Sequence, residues 1–385
     1  MFVRTLSTAR TRGSPLADAA TARAVALDDL DGALSRRVIA YAERVGMRGV
    51  ACAGGVDAGG VELAGSLAQF AAAAAVDGAD RDLAPVFRAA LDALRRALSP
   101  PRVLRAGPFA IDLSSAIVMG ILNVAKESFY DGGRYLGVER ALARASEMLD
   151  EGARIIDVGG QSYNAKTPPV DEAEEIARVV PVVEALARAF PGVPLSVDTV
   201  RSGVARAALE AGAAIVNDCS GNADPQMAAV CARYAAGDVV MHLKGRLKVR
   251  EPERYVYRDV AAEIVRFLHA RTEAARAAGV AAESIVVDPG LEFGKEPADD
   301  LTILARLEEL RTLGYPLLLA ASRKSFMGRL FSLPAGELLA PSAAAAAAGA
   351  LAGVQIIRAH DVQFTVRLVR MLEAIASGPC ATGDI

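Results

Sequence analysis

The sequence predicts an α/β protein: a (β/α)8 TIM barrel preceded by a small α+β N-terminal extension. Three observations predict it. From about Gly107 onward, short apolar runs alternate with helical segments to give eight βα units in roughly 280 residues, close to the size typical of this barrel. The first run, Ala116–Leu122, shows no polar alternation and so reads as a strand buried on both faces, as strands of parallel sheets are. Every run then ends in polar or charged residues, and in such barrels the chemistry sits at the C-terminal ends of the strands. An open doubly wound sheet is the alternative, but the GxGxxG fingerprint of a dinucleotide fold is missing after the first strand.

Taken in order, residues 1–28 lack periodicity and are expected to be disordered. Asp31 to Val45 fits an amphipathic helix with Leu34, Val38, Ile39 and Ala42 on one face. A short strand-like piece, 49–53, and the glycine-rich stretch 54–60 follow. Helix-like stretches are expected over 62–76 and 83–98, and Pro100-Pro101 closes the segment. Residues 1–108 carry no chemical constellation and are assigned to the extension, 109–385 to the barrel. The barrel strands are expected near 116–122, 154–158, 194–198, 213–217, 237–242, 284–288, 316–321 and 355–359. The helices are expected near 138–152, 171–190, 201–212, 224–235, 259–279, 298–314, 340–353 and 361–377.

Composition narrows the function classes. The chain is 52% hydrophobic and 23% charged with a formal charge of −3, which offers no basic excess for nucleic acid and no polybasic membrane anchor. No apolar run reaches the roughly 18 uninterrupted residues of a membrane span. Cys52, Cys219, Cys231 and Cys380 show no CxxC spacing, so they read as reduced thiols of a cytoplasmic protein. The first 17 residues hold Arg4, Arg10 and Arg12 and no acid, a faint likeness to a transit peptide; a loose Arg-rich start is the preferred reading. Only six of the 43 basic residues are lysine (Lys126, Lys166, Lys244, Lys248, Lys295 and Lys324), and each follows a predicted strand on the loop side. In a barrel they would share one face.

The strand ends carry the chemistry. They are Asn123, Asp157-Val158-Gly159-Gly160, Ser196-Val197-Asp198-Thr199, Asn217-Asp218, His242, Asp288-Pro289-Gly290, Ser322-Arg323-Lys324-Ser325 and Arg358-Ala359-His360-Asp361. Three histidines are too few and scattered for a zinc enzyme, and no Ser–His–Asp arrangement is suggested. Instead Asp198, Asn217 and Asp288 face Lys324, Arg358 and His360. Acids and amides read the donor edge of a flat heterocycle such as guanine or a pterin, and cations hold its carbonyl and ring face. His360, loop amides and a metal at Asn123 suit a phosphate leaving group. His242 stays open between lining the core and serving function, Asp157 reads as structural beneath the loops, and His269 as a surface residue.

The blocks MGILNV…SFYDGG, IIDVGGQS, SVDT, VNDCSG, MHLKG, DPGLEFGK, ASRKSFMG and IIRAHDV resemble, in order and spacing, those of the dihydropteroate synthases, over about residues 109–378. The resemblance implies condensation of 6-hydroxymethyl-7,8-dihydropterin diphosphate with p-aminobenzoate to dihydropteroate, through a dissociative displacement. It implies that Asp198, Asn217, Asp288, Lys324 and Arg358 bind the pterin, with Arg358 and His360 near the diphosphate. Asn123 would ligate Mg²⁺. Phe293, Lys324 and Ser325 would border p-aminobenzoate, while Phe129 and Asp131 would lie on a closing first loop, with Asp131, Lys324, Arg358 and His360 as the catalytic set. The partners implied are these small molecules and a second copy in a homodimer, with no nucleic acid and no membrane.

Two loops depart from the family pattern. Where the first loop usually reads T-P-D-S-F, this chain has Ala125-Lys126-Glu127-Ser128-Phe129. Where the second reads E-S-T-R-P-G, it has Gln161-Ser162-Tyr163-Asn164-Ala165-Lys166, so Asn164 stands in place of the phosphate-binding arginine. Lys126 and Lys166 are expected to supply the missing charge, with Lys248 as the reference lysine. Two alternatives are kept: a pterin-binding paralogue without turnover or with altered specificity, and a pterin-dependent methyltransferase.

Overall fold

The computed structural model describes residues 1–6, 23–51, 60–124, 134–163, 168, 170–249 and 255–377. The chain divides into two compact units. The first gathers Met1–Pro100 with Asp259–Arg266 and Ala305–Gly314; the second holds the remainder. The change falls at Pro100–Pro101, whereas position 108/109 lies inside a hairpin of the second unit.

The first unit is a four-stranded antiparallel sheet backed by helices. Its strands are β1 (Phe2–Thr5), β2 (Arg23–Asp28), β3 (Arg48–Ala51) and β4 (Gly60–Gly65), ordered β1-β2-β4-β3. The first 28 residues therefore do not all lie loose, as their lack of periodicity predicted. Phe2–Thr5 pairs residue for residue with Val25–Asp28. Arg4, 2% exposed, is held by Glu309 at 2.7 Å, Asp259 at 3.2 Å and Asp28 at 3.4 Å, partners that no local pattern reveals. The helix expected over 62–76 is also corrected: Gly60–Gly65 is a strand and the helix is Leu67–Ala74. Ser66 starts it with a capping box, its hydroxyl accepting from the Gln69 amide while the Gln69 side chain accepts from the Ser66 amide. The helices Gly32–Arg44 and Ala84–Leu98 bury Val38, Phe87 and Leu94 with Val25, Leu27 and Leu63 of the sheet.

The second unit is the barrel. Its eight parallel strands are β7 (Ile117–Asn123), β8 (Ile155–Gly159), β9 (Leu195–Asp198), β10 (Ile215–Asp218), β11 (Gly237–Met241), β12 (Ile285–Asp288), β13 (Leu318–Leu319) and β14 (Ile356–Ala359). They run in sequence order around the ring, β14 pairs with β7, and a parallel bridge between Val287 and Leu317 closes the last gap. The strands are nearly wholly buried, as continuous apolar runs covered by helices must be. Before the barrel, β5 (Val103–Ala106) and β6 (Phe109–Asp112) form a hairpin. Its Leu104, Ala106 and Ile111 pack with Ile117, Ile155, Ile215, Val286 and Ile356, residues at the starts of the strands. The hairpin so plugs the N-terminal end of the barrel and leaves the C-terminal end open. Among the described residues no helix is long and apolar enough to cross a membrane.

Candidate active site

A cavity of about 720 Å³ opens at the C-terminal end of the barrel. Strand register builds its floor: Asn217 lies beside Asp198, and Asp198 beside Gly159, on neighbouring strands. Gly159 lies between them and Asn123: a Cβ there would stand 3.3 Å from Asn123 Oδ1, a tight contact. Asn123, Asp198, Asn217, Asp288, Phe293, Lys324, Ser325, Arg358 and His360 all line this one cavity. Phe129, Asp131, Asn164, Lys126 and Lys166 lie outside the described residues.

Asp157, expected to be structural, is the hub of the floor. It is fully buried and accepts from Ser196 Oγ at 2.6 Å, Asn217 Nδ2 at 3.1 Å and Arg358 Nε at 2.6 Å. Arg358 Nη2 donates to Asp198 Oδ2 at 2.7 Å. Two of the three guanidinium nitrogens are thus engaged by carboxylates, which fixes the plane of the group. Asp198 Oδ1 is buried and has no hydrogen-bond partner among the described residues. Burial pushes the Asp198 carboxyl up to about 7, Arg358 pulls against that, and Asp157 and Glu175 push further.

Two loops form the second wall. Asp288 accepts from the Gly290 amide at 2.6 Å, and burial pushes its carboxyl upward. Gly290 has φ 66, and a Cβ there would meet His242 O at 2.0 Å, so the turn needs glycine. Lys324 Nζ donates to Leu291 O at 3.2 Å and sits 4.6 Å from the centre of the Phe293 ring. The Glu292 carboxylate accepts from Ser325 Oγ at 2.7 Å and from the Phe326 amide. His360 donates its backbone amide to Ser322 Oγ at 3.2 Å; burial, with Arg358 beside it, pushes its ring down to about 4. It is a neutral imidazole at neutral pH.

His242 is resolved as core: it is 4% exposed, lies edge-on to Phe267 at 4.8 Å and receives Lys295 Nζ on Nδ1 at 2.8 Å. Lys248, the reference lysine, lines the cavity, as the shared loop-side face predicts, and so do Arg246 and Arg329. Lysine scarcity pointed to Lys248. Nothing marked Arg246, because arginine is this chain's default cation. Glu292 was missed too, although it lies in the DPGLEFGK block between Asp288 and Phe293.

One amide oxygen, Asn123 Oδ1, is a sparse protein share for a divalent cation, and among the described residues no cluster of three acidic, histidine or cysteine side chains is placed to hold one. An amide oxygen is a hard donor of the kind Mg²⁺ takes, and that ion keeps several waters and is held through one or two protein groups and the phosphates of a substrate.

Comparison with known proteins follows the same span. A family described as "pterin binding enzyme" matches residues 119–360. The dihydropteroate synthase of Bacillus subtilis is 41% identical over 276 residues, covering 71% of this chain and 94% of that protein. That of Mycobacterium leprae is 42% identical over 277 residues, covering 70% and 97%. Among solved structures, Yersinia pestis dihydropteroate synthase in a sulfonamide drug complex superposes with a TM-score of 0.67 at 40% identity, covering 72% of this chain and all of that one. The Thermus thermophilus enzyme in complex with 4-aminobenzoate gives 0.64 at 37% identity, covering 71% and 100%.

Proposed function

The chain belongs to the pterin-binding enzyme family as a dihydropteroate synthase, and from that premise we propose how its own residues carry the reaction. The enzyme is a transferase of folate biosynthesis that joins 6-hydroxymethyl-7,8-dihydropterin diphosphate to p-aminobenzoate. The observation that carries the residue assignment is the open acceptor, Asp198 Oδ1, buried in the floor beside the Arg358–Asp157 pair. A buried carboxylate oxygen without a donor is costly in the free protein and is satisfied by the N–H edge of a pterin.

Asn217, held at Nδ2 by Asp157, keeps its Oδ1 toward the same ring edge, and Asp288 takes a further pterin N–H. Lys324 donates to the ring carbonyl. Arg358, clamped by Asp157 and Asp198, presents its cationic plane to the ring and the departing diphosphate. His360 is neutral and so gives the diphosphate one hydrogen bond, not a charge. Arg246, Lys248 and Arg329 on the cavity wall join Lys126 and Lys166 in supplying charge where Asn164 replaces the arginine. Mg²⁺ at Asn123 would neutralise charge on the leaving diphosphate. Diphosphate leaves first, the floor carboxylates tolerate the methylene cation, and the aryl amine attacks it from the side of Phe293, Lys324 and Ser325.

We place the enzyme in the cytoplasm, where the buried thiols of Cys219 and Cys231 stay reduced, and assign it as a homodimer. The test is diphosphate release from the pterin substrate with Mg²⁺, with and without p-aminobenzoate. Release that requires p-aminobenzoate and yields dihydropteroate is expected. Asp198→Asn should raise KM for the pterin diphosphate about tenfold or more. A wild-type KM in that variant would remove Asp198 from the pterin site.

A further inference from the structure

The loop from Asp288 to Lys295 sets a carboxylate of the protein against the donors assigned to a carboxylate of the substrate. Glu292 lines the cavity, and its Oε1 accepts from Ser325 Oγ at 2.7 Å and from the Phe326 backbone amide. Its backbone is held by its own amide, which donates to Asp300 Oδ1 at 2.9 Å. Its φ of 71 lies in the left-handed region, where glycine is at ease and glutamate is strained. A strained glutamate whose side chain ties up an exposed serine at a substrate cavity is a functional feature to be explained, because a glycine would make the same turn more easily.

The geometry points to Glu292 as an internal competitor: its carboxylate occupies the Ser325 Oγ and Phe326 amide that receive the carboxylate of p-aminobenzoate, and so sets KM for that substrate. This rests on the assignment of Ser325 to the p-aminobenzoate side of the site. Three observations support it. The two donors hold a carboxylate in the structure, so their spacing suits one. Ser325 is exposed, so a substrate reaches it. The Phe293 ring with Lys324 above it stands on the same loops, a flat face and a cation suited to an aryl ring. One hydroxyl proton serves one carboxylate well, so Glu292 must release Ser325 before the substrate is fully bound. Apparent affinity then equals the intrinsic affinity reduced by the fraction of enzyme in which Glu292 is released.

Steady-state kinetics on the full chain with Glu292→Gly, Glu292→Gln and Ser325→Ala tests this, with p-aminobenzoate varied against saturating pterin diphosphate and KM for the pterin as reference. Glycine suits the backbone and removes the carboxylate, so KM for p-aminobenzoate should fall about threefold to tenfold relative to that reference. Glutamine keeps the volume and is a weaker neutral acceptor, so its KM should fall less. Loss of a merely structural brace would move KM upward, so the sign discriminates. An unchanged or raised KM in both Glu292 variants, in protein that unfolds at the wild-type denaturant midpoint, overturns the competition. Ser325→Ala separates the premises. If it raises KM for p-aminobenzoate, Ser325 is in the site and the failure belongs to Glu292 alone. If it leaves KM unchanged, Ser325 is not in the site and the proposal falls with it.

Discussion

At the scale of single residues, buried carboxylates do two different jobs in the barrel. Asp157 is satisfied from three sides and holds Asn217 and Arg358 in place. Asp238 is also fully buried but, among the described residues, accepts only from Asn222 Nδ2, at 2.9 Å, leaving its Oδ1 and Asn222 Oδ1 without partners there. Burial pushes its pKa up to about 7, with Asn222 pulling down and Asp218 pushing up. The folded state therefore keeps a proton that the unfolded chain gives up at about pH 4. The resulting stabilisation is full below that value and is lost as pH rises through about 7. Asp238→Asn carries a permanent donor and no charge. It should unfold at a higher urea midpoint than wild type at about pH 8, by about 1–2 kcal/mol, with a flatter pH dependence between about pH 5 and 8. An unaltered pH slope would mean that Asp238 does not titrate in that range.

At the scale of elements, the loop after β12 is held from inside. Lys295 is 2% exposed and its Nζ reaches Gly290 O at 2.7 Å, Phe293 O at 3.0 Å and His242 Nδ1 at 2.8 Å. Burial pushes Lys295 down to about 7 and lowers the His242 ring well below its ordinary range. Lys295→Met would leave those acceptors unpaired in the core. A loss of about 2–4 kcal/mol in denaturant unfolding is expected, together with a raised KM for p-aminobenzoate because Phe293 is no longer fixed. Wild-type stability in that variant would show that the loop holds itself. Lys295 was legible as a loop-side lysine, but its inward course was not, since one sequence pattern serves a ligand-binding and a loop-stapling lysine alike. The strand at Gly60–Gly65 was misread for a related reason. Alanine-rich sequence extends the helical pattern backward across Ser66, although the Ser66-x-x-Gln69 box marks the true start.

At the scale of the whole molecule, the proposed homodimer can be tested on exposed apolar surface. Phe364, Met371 and Ile375 are 43%, 61% and 64% exposed at helical spacing on Val362–Ser377, and Phe331 and Leu351 are exposed on preceding helices. A homodimer of ordinary stability buries about 1,600 Å² in all and is built around apolar residues of this kind. The double variant Met371→Glu, Ile375→Glu should therefore shift a dimer to monomer in light scattering. Wild-type protein that stays monomeric at all concentrations would reject the dimer.

The barrel, its strand ends and the polar side chains those ends bring to its mouth were legible in the sequence, whereas Arg246, Arg329 and Glu292 on the cavity wall were not. Buried parallel strands are continuous apolar runs, and their polar ends stand out against them. Which groups satisfy one another was visible only in the folded chain. Arg4 finds Glu309 across 305 positions, Arg358 finds Asp157 across 201, and Glu292 finds Ser325 across 33. Periodicity records which way a residue faces along its own element. The partner that makes a buried charge or an open acceptor tolerable comes from another element, and it is known only once the chain has closed on itself.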